Sequence, residues 1–166
     1  NNIYLLMYFP QFEEEVKTLL GSDWDPNLNR QRVLSATEAA TTDPNADAFD
    51  WFNYGSNLAY FERYEEAARA YDKAREQYET VAKLCPGNIY GLNDLGAAHF
   101  KLGENALAQA AFERSNAIKR NPDACSNLAV LYYFRGRYAD SVTMNEAAVG
   151  FGLLMSSAFG AEGEGV

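Results

Sequence analysis

The side chains in this 166-residue chain best suited to nucleophilic or acid–base chemistry are a single histidine, His99, and two cysteines, Cys85 and Cys125. Such chemistry needs a nucleophile in hydrogen-bond reach of a base, and a third group that orients the base. His99 falls inside an apolar helical pattern and reads as a core residue with a satisfied hydrogen bond. Cys85 and Cys125 have neither CxxC spacing nor a neighbouring histidine, and both fall near helix boundaries, so buried or half-buried free thiols are expected. Asp23, Asp25, Asp43, Asp47 and Asp50 are too scattered, and lack the central glycine, to imitate a calcium loop. The glycines at 150–152 and 160–165 do not sit between a strand and a helix, as a phosphate-cradling loop requires. No catalytic residue, metal site or cofactor emerges. The expectation is a protein without catalysis, acting through its surface.

Composition narrows the choice of partner. The chain is 48% hydrophobic and 14% aromatic, enough apolar material for one continuous core rather than disorder. Acidic residues outnumber basic ones 23 to 14, and the net charge of -9 repels a phosphate backbone or an anionic lipid surface. The basic pairs Arg30 with Arg32, Lys119 with Arg120 and Arg135 with Arg137 are isolated between acidic stretches, so nucleic acid is not the expected partner. The apolar run from Ile3 to Phe9 is cut by Pro10 and is far short of the roughly 20 residues needed to span a bilayer, so membrane insertion is not expected. Without an initiating Met, a basic leader or a cleavage site, Asn1 reads as the trimmed edge of something longer, and no targeting signal gives the compartment.

The surface is organised by a repeat. Trp51, Gly55, Leu58, Tyr64, Ala67, Tyr71 and Ala74 align with Leu92, Leu95, Gly96, His99, Gly103, Ala108 and Phe112. Both sets align with Leu128, Ala129, Tyr132, Gly136, Tyr138, Ser141 and Ala148. In each unit a small residue on a first helix (Gly55, Gly96, Ala129) meets a small residue on a second (Ala67, Ala108, Ser141), which lets two backbones pack closely. Gly103 and Gly136 mark left-handed turns between the paired helices. Pro86-Gly87-Asn88 and Asn121-Pro122-Asp123 close one unit and open the next.

This pattern resembles the tetratricopeptide repeat family over residues 48–149, most specifically in FERYEEAARAYDKA. The resemblance implies an all-α, antiparallel helix-pair solenoid of about three repeats (48–85, 89–121 and 122–149) with capping helices. Gly96 follows Gly55 by 41 residues, whereas Ala129 follows Gly96 by 33, against a family period of about 34. The extra length falls in the second helix of the first unit. One long helix from about Tyr64 to Cys85 accounts for it; the alternative is a segment absent between Glu76 and Gln77.

Residues 1–47 are expected to hold N-terminal caps: a helix at Gln11–Leu20, a turn-forming link at 21–29 and a helix at Arg30–Thr41. Residues 150–166 read as an apolar cap, Phe151–Phe159, followed by a solvated tail; the cap could also dock a neighbouring copy. Residues 4–76 are similar to the repeat tail of bacterial papain-like, double-glycine-type cysteine peptidase proteins, with Ile3–Tyr8 as the last strand of a preceding domain. That makes the non-catalytic part of such a bacterial protein, or a structural subunit of a larger assembly, the alternative functions.

In the tetratricopeptide family the first helices of the units line a concave groove. The resemblance places Phe49, Phe52, Ser56 and Tyr60 there from the first unit. Tyr90, Asn93, Ala97 and Phe100 follow from the second, and Ser126, Val130, Tyr133 and Phe134 from the third. The groove is thus expected to be aromatic and nearly uncharged, fitted to an apolar or aromatic segment of a protein or peptide partner. Chaperone-docking members instead grip a C-terminal carboxylate with lysines, an arginine and asparagines. The matching positions here hold Phe52, Ser56, Asp94, Asp123 and Asn127, two of them acidic, so an acidic tail is not the expected ligand.

Overall fold

The computed structural model describes residues 26–160, with 26, 27, 29 and the last ten as backbone alone. Among these residues every element is a helix: α1 Pro26–Thr41, α2 Ala48–Tyr60, α3 Tyr64–Leu84, α4 Ile89–Lys101, α5 Asn105–Ile118, α6 Pro122–Phe134 and α7 Tyr138–Gly160. Each helix packs chiefly on its sequence neighbours, α2 on α3, α4 on α5 and α6 on α7, and each pair stacks on the next. The protein is an all-α, antiparallel helix-pair solenoid of the tetratricopeptide type. The expected strand at 3–8, the helix at Gln11–Leu20 and the tail at 161–166 lie outside the described residues. So do the side chains of the apolar stretch 151–159.

The first helix of every pair starts at a side-chain cap. Asp47 accepts from the backbone N–H groups of Phe49 and Asp50 at 2.8 and 3.1 Å, and Asp50 accepts from the Asp47 N–H at 3.0 Å, closing a capping box. Asn88 caps Gly91 at 3.1 Å and Asn121 caps Ala124 at 2.9 Å, with Pro122 at the first helical position, where a missing N–H costs nothing. Gly103 and Gly136, at φ +77° and +73°, turn the chain into α5 and α7. The equivalent turn of the first pair holds Glu62 at φ 59°, a left-handed conformation that side chains other than glycine rarely adopt.

The small-residue pairing lies where the repeat requires it. Ala67, Ala108 and Ala129 are fully buried, and the Ser141 hydroxyl donates to the Ala129 carbonyl at 2.8 Å. Three apolar clusters follow one another along the stack. Leu58, Ala67, Ala70 and Tyr71 join α2 to α3; Ala74, Tyr78 and Ala82 meet Leu92, Leu95 and Ala98 of α4; Phe112 meets Leu128, Leu131 and Tyr132 of α6. Ser115, fully buried, donates to the Ile89 carbonyl at 2.8 Å, tying the end of α5 to the start of α4.

Three departures from the sequence reading have physical causes. Helix α1 begins at Pro26, inside the expected link 21–29, because a proline suits the first turn of a helix as readily as a loop. Helix α7 passes through Gly150 without a break. Cys85, expected to be at least half-buried, is exposed, because it follows the last residue of α3 and lies off the packed face, whereas Cys125 is fully buried. Helix α3 is continuous over 21 residues, with Glu76 and Gln77 at mid-helix; its extra turns bury Tyr78 and Ala82 against α4. At the other end α1 packs on α2, where the Asn57 amide donates to the Thr37 hydroxyl at 3.4 Å.

Candidate functional site: the inner groove

Three helices, α2, α4 and α6, share the inner side of the stack. Residues three, four and seven apart on a helix lie on one face, so Phe52, Ser56 and Tyr60 form one row, Ala97, Phe100 and Lys101 a second, and Asn127 and Val130 a third. The three rows enclose a cavity of about 460 Å³, with the edge of Phe112 as part of its wall. Its lining is mainly apolar and aromatic. Tyr60 and Val130 are about half exposed at its mouth, whereas Phe52 is half-buried and packs on Tyr71 with ring centroids 5.3 Å apart. Ser56 is held in place twice over: it donates to the Phe52 carbonyl at 2.9 Å and accepts from the Tyr71 hydroxyl at 3.2 Å.

Of the residues expected in the groove, Phe52, Ser56, Tyr60, Ala97, Phe100 and Val130 line this cavity. Phe49, Tyr90, Asn93, Ser126, Tyr133 and Phe134 do not. Phe49 and Tyr90 stand exposed near the starts of α2 and α4, and Ser126 is exposed on α6. Asn93 accepts from the Asn127 side-chain amide at 3.0 Å and bridges α4 to α6 at the edge of the cavity. Tyr133 and Phe134 form an exposed aromatic cluster with Tyr138. It reaches the cavity through Phe100, whose ring lies 6.1 Å from that of Phe134.

Lys101, Phe112 and Asn127 complete the lining without having been expected there. Lys101 and Asn127 sit four residues after Ala97 and three before Val130, so helical spacing alone was the signal that could have found them. Phe112 reaches the cavity from the second helix of its pair because Gly96 leaves its ring room.

Lys101 is the one charged residue in the lining, where the sequence reading expected a nearly uncharged groove, and two carboxylates lie toward the opposite end. Asp94, on the groove face one turn before Ala97, is half-buried, and burial, followed by the nearby charge of Asp123, holds its carboxyl above the ordinary aspartate range. Burial likewise pushes up the Tyr78 phenol, with Asp94 and then Asp47 adding to it. Asp123 sits one turn before Asn127 on α6.

His99 is buried, with Nδ1 2.6 Å from a carboxylate oxygen of Glu104, away from both cysteines in sequence and on the packed side of α4. Among the described residues no group of three His, Cys, Asp or Glu side chains could hold a metal ion, and no helix is long and apolar enough to cross a membrane.

The fold and the groove define a helical-repeat architecture of the kind that presents a concave surface. No protein-family model and no curated protein matches the chain. Solved structures resemble it distantly. One described as the crystal structure of MamA is 16% identical over 93% of this chain and 86% of its own, with a TM-score of 0.48. Another, MamA RS-1 ArsTM double mutant, is 11% identical over 91% and 96%, with a TM-score of 0.49.

Proposed function

We propose that this protein is a non-catalytic binding module that receives an apolar or aromatic segment of a protein partner in the groove formed by α2, α4 and α6. The observation that carries this reading is the 460 Å³ cavity, large enough for one or two bulky side chains and built from three successive units. Repeats spread their contacts over several units, so a partner can be gripped without any one unit supplying a complete pocket.

Random decapeptides displayed on phage and selected on the whole immobilised chain test the proposal. Groove-dependent binders are expected to be lost when Val130→Glu and Tyr60→Ala are combined. Both residues are about half exposed, so the variant should keep the helical circular dichroism of the parent. Binders that survive in the folded variant, or no binders to the parent, would refute the groove reading.

A further inference from the structure

The acidic end of the groove specifies the partner further, on the reading that the groove binds a segment at all. Asp94 lies one turn before Ala97 and two turns before Lys101, and both of these line the cavity. Asp123 lies one turn before Asn127, which lines it from α6. Residues four apart on a helix are about 6 Å apart along its axis, so both carboxylates flank the same end of the apolar space. They are also close enough to each other to interact. Neither has a hydrogen-bonded side-chain or cationic partner among the described residues. Asp94 is half-buried and Asp123 exposed; the charge of Asp123 acts on Asp94, and that of Asp94 on the Tyr78 phenol. Tyr90, one turn before Asp94 on the same helix face, is 69% exposed and adds an aromatic ring of the kind that attracts cations.

A half-buried carboxylate beside a second one is costly until a positive charge joins them. We infer that the groove binds a protein segment in which a lysine or arginine, seated between Asp94 and Asp123, lies about two residues from an apolar or aromatic side chain that fills the cavity. Two residues of extended chain span about 6.6 Å, which matches the single helical turn between the carboxylates and the cavity lining.

The displayed decapeptide selection on the whole chain reads this directly. Groove-dependent binders are expected to carry lysine or arginine one to three residues from a bulky apolar residue. For the tightest of them, changing its basic residue to norleucine should weaken binding about 10-fold. Asp94→Asn combined with Asp123→Asn should do the same, and the norleucine peptide on that variant should lose little more, since each change removes the same pair. Affinity for the basic peptide should fall as salt is raised from 50 to 500 mM, as screening of an ion pair requires. Asp94→Asn alone removes a buried charge and is expected to fold, which thermal melting checks. Groove-dependent binders that are neutral or acidic, or losses that simply multiply, would overturn this inference and leave the groove itself standing. An absence of groove-dependent binders would remove both.

Discussion

A Cβ atom added to Gly96 would lie 2.5 Å from Cε1 and 2.6 Å from Cδ1 of the Phe112 ring, closer than real side-chain atoms approach. Phe112 is 2% exposed and packed against Leu128 and Leu131, so the ring can give only toward the groove cavity that it borders. Gly96→Ala gains up to about 1 kcal/mol of helix propensity, but overpacking costs about 1–3 kcal/mol. The variant is therefore expected to be destabilised, by roughly 1–2 kcal/mol. A lower urea midpoint with an unchanged slope shows it, and an equal or higher midpoint contradicts the packing. The change also pushes Phe112 against the cavity, so peptide affinity should fall in the folded variant.

The turn between α2 and α3 offers a change in the opposite direction. Glu62 occupies, at φ 59°, the place that Gly103 and Gly136 take in the other two pairs. The left-handed conformation costs an L side chain about 1–2 kcal/mol. Glycine removes that strain but loses about 0.4–1 kcal/mol through a freer unfolded chain. Glu62→Gly is expected to stabilise the protein by up to about 1 kcal/mol, whereas Gly103→Ala and Gly136→Ala should each destabilise it. Thermal melting of the three variants decides the matter; a lower melting temperature for Glu62→Gly would show that the turn favours glutamate for another reason.

That turn also shows what the sequence hides. Gly103 and Gly136 announce their turns because glycine is the residue that left-handed backbone prefers, but Glu62 sends no such signal, and only alignment of the units points to it. The helix pairs were legible because Gly55, Gly96 and Ala129 recur opposite Ala67, Ala108 and Ser141, a pattern set by close backbone contact. Half of the groove residues read from the family positions line the cavity, since Ala97, Phe100 and Val130 follow helical spacing from the same small residues. Phe49, Tyr90 and Ser126 follow the same rule but lie nearer the helix starts, beyond the space the cavity occupies. Pro26 misled because proline suits a loop and the first turn of a helix equally.

Asp94 makes stability depend on pH with a definite sign. Its folded-state carboxyl titrates above the ordinary aspartate value of 3.8, chiefly because it is buried and secondarily because Asp123 is near. The folded protein thus holds this proton more tightly than the unfolded chain, and ionised Asp94 opposes folding. That penalty is complete above the raised folded value and disappears as pH falls to and below 3.8. Asp94→Asn should therefore raise the urea midpoint at pH 7, with the gain over the parent shrinking toward pH 3.5. A gain that is equal at both pH values, or a lower midpoint at pH 7, rules out burial of the charge as the cause. If the variant also loses the basic peptide, the carboxylate is retained for binding at the expense of stability.

His99 and Glu104 form the remaining test, because they join the end of α4 to the start of α5 across the Gly103 turn. Nδ1 of the buried His99 lies 2.6 Å from a Glu104 carboxylate oxygen, and the Glu104 N–H donates to the His99 carbonyl at 2.9 Å. Glu104→Ala keeps the backbone bond but leaves a polar ring nitrogen inside the stack without its side-chain partner, at a cost of about 1–3 kcal/mol. His99→Phe removes that need while keeping a ring in the buried position. Glu104→Ala should then cost much less in the His99→Phe background than in the parent, a coupling of about 0.5–3 kcal/mol in a double-mutant cycle. The same Glu104→Ala cost in both backgrounds would mean that His99 is held by packing alone. A strong coupling would show that the chain's one histidine is used to fix the turn that sets Phe100 and Lys101 against the groove.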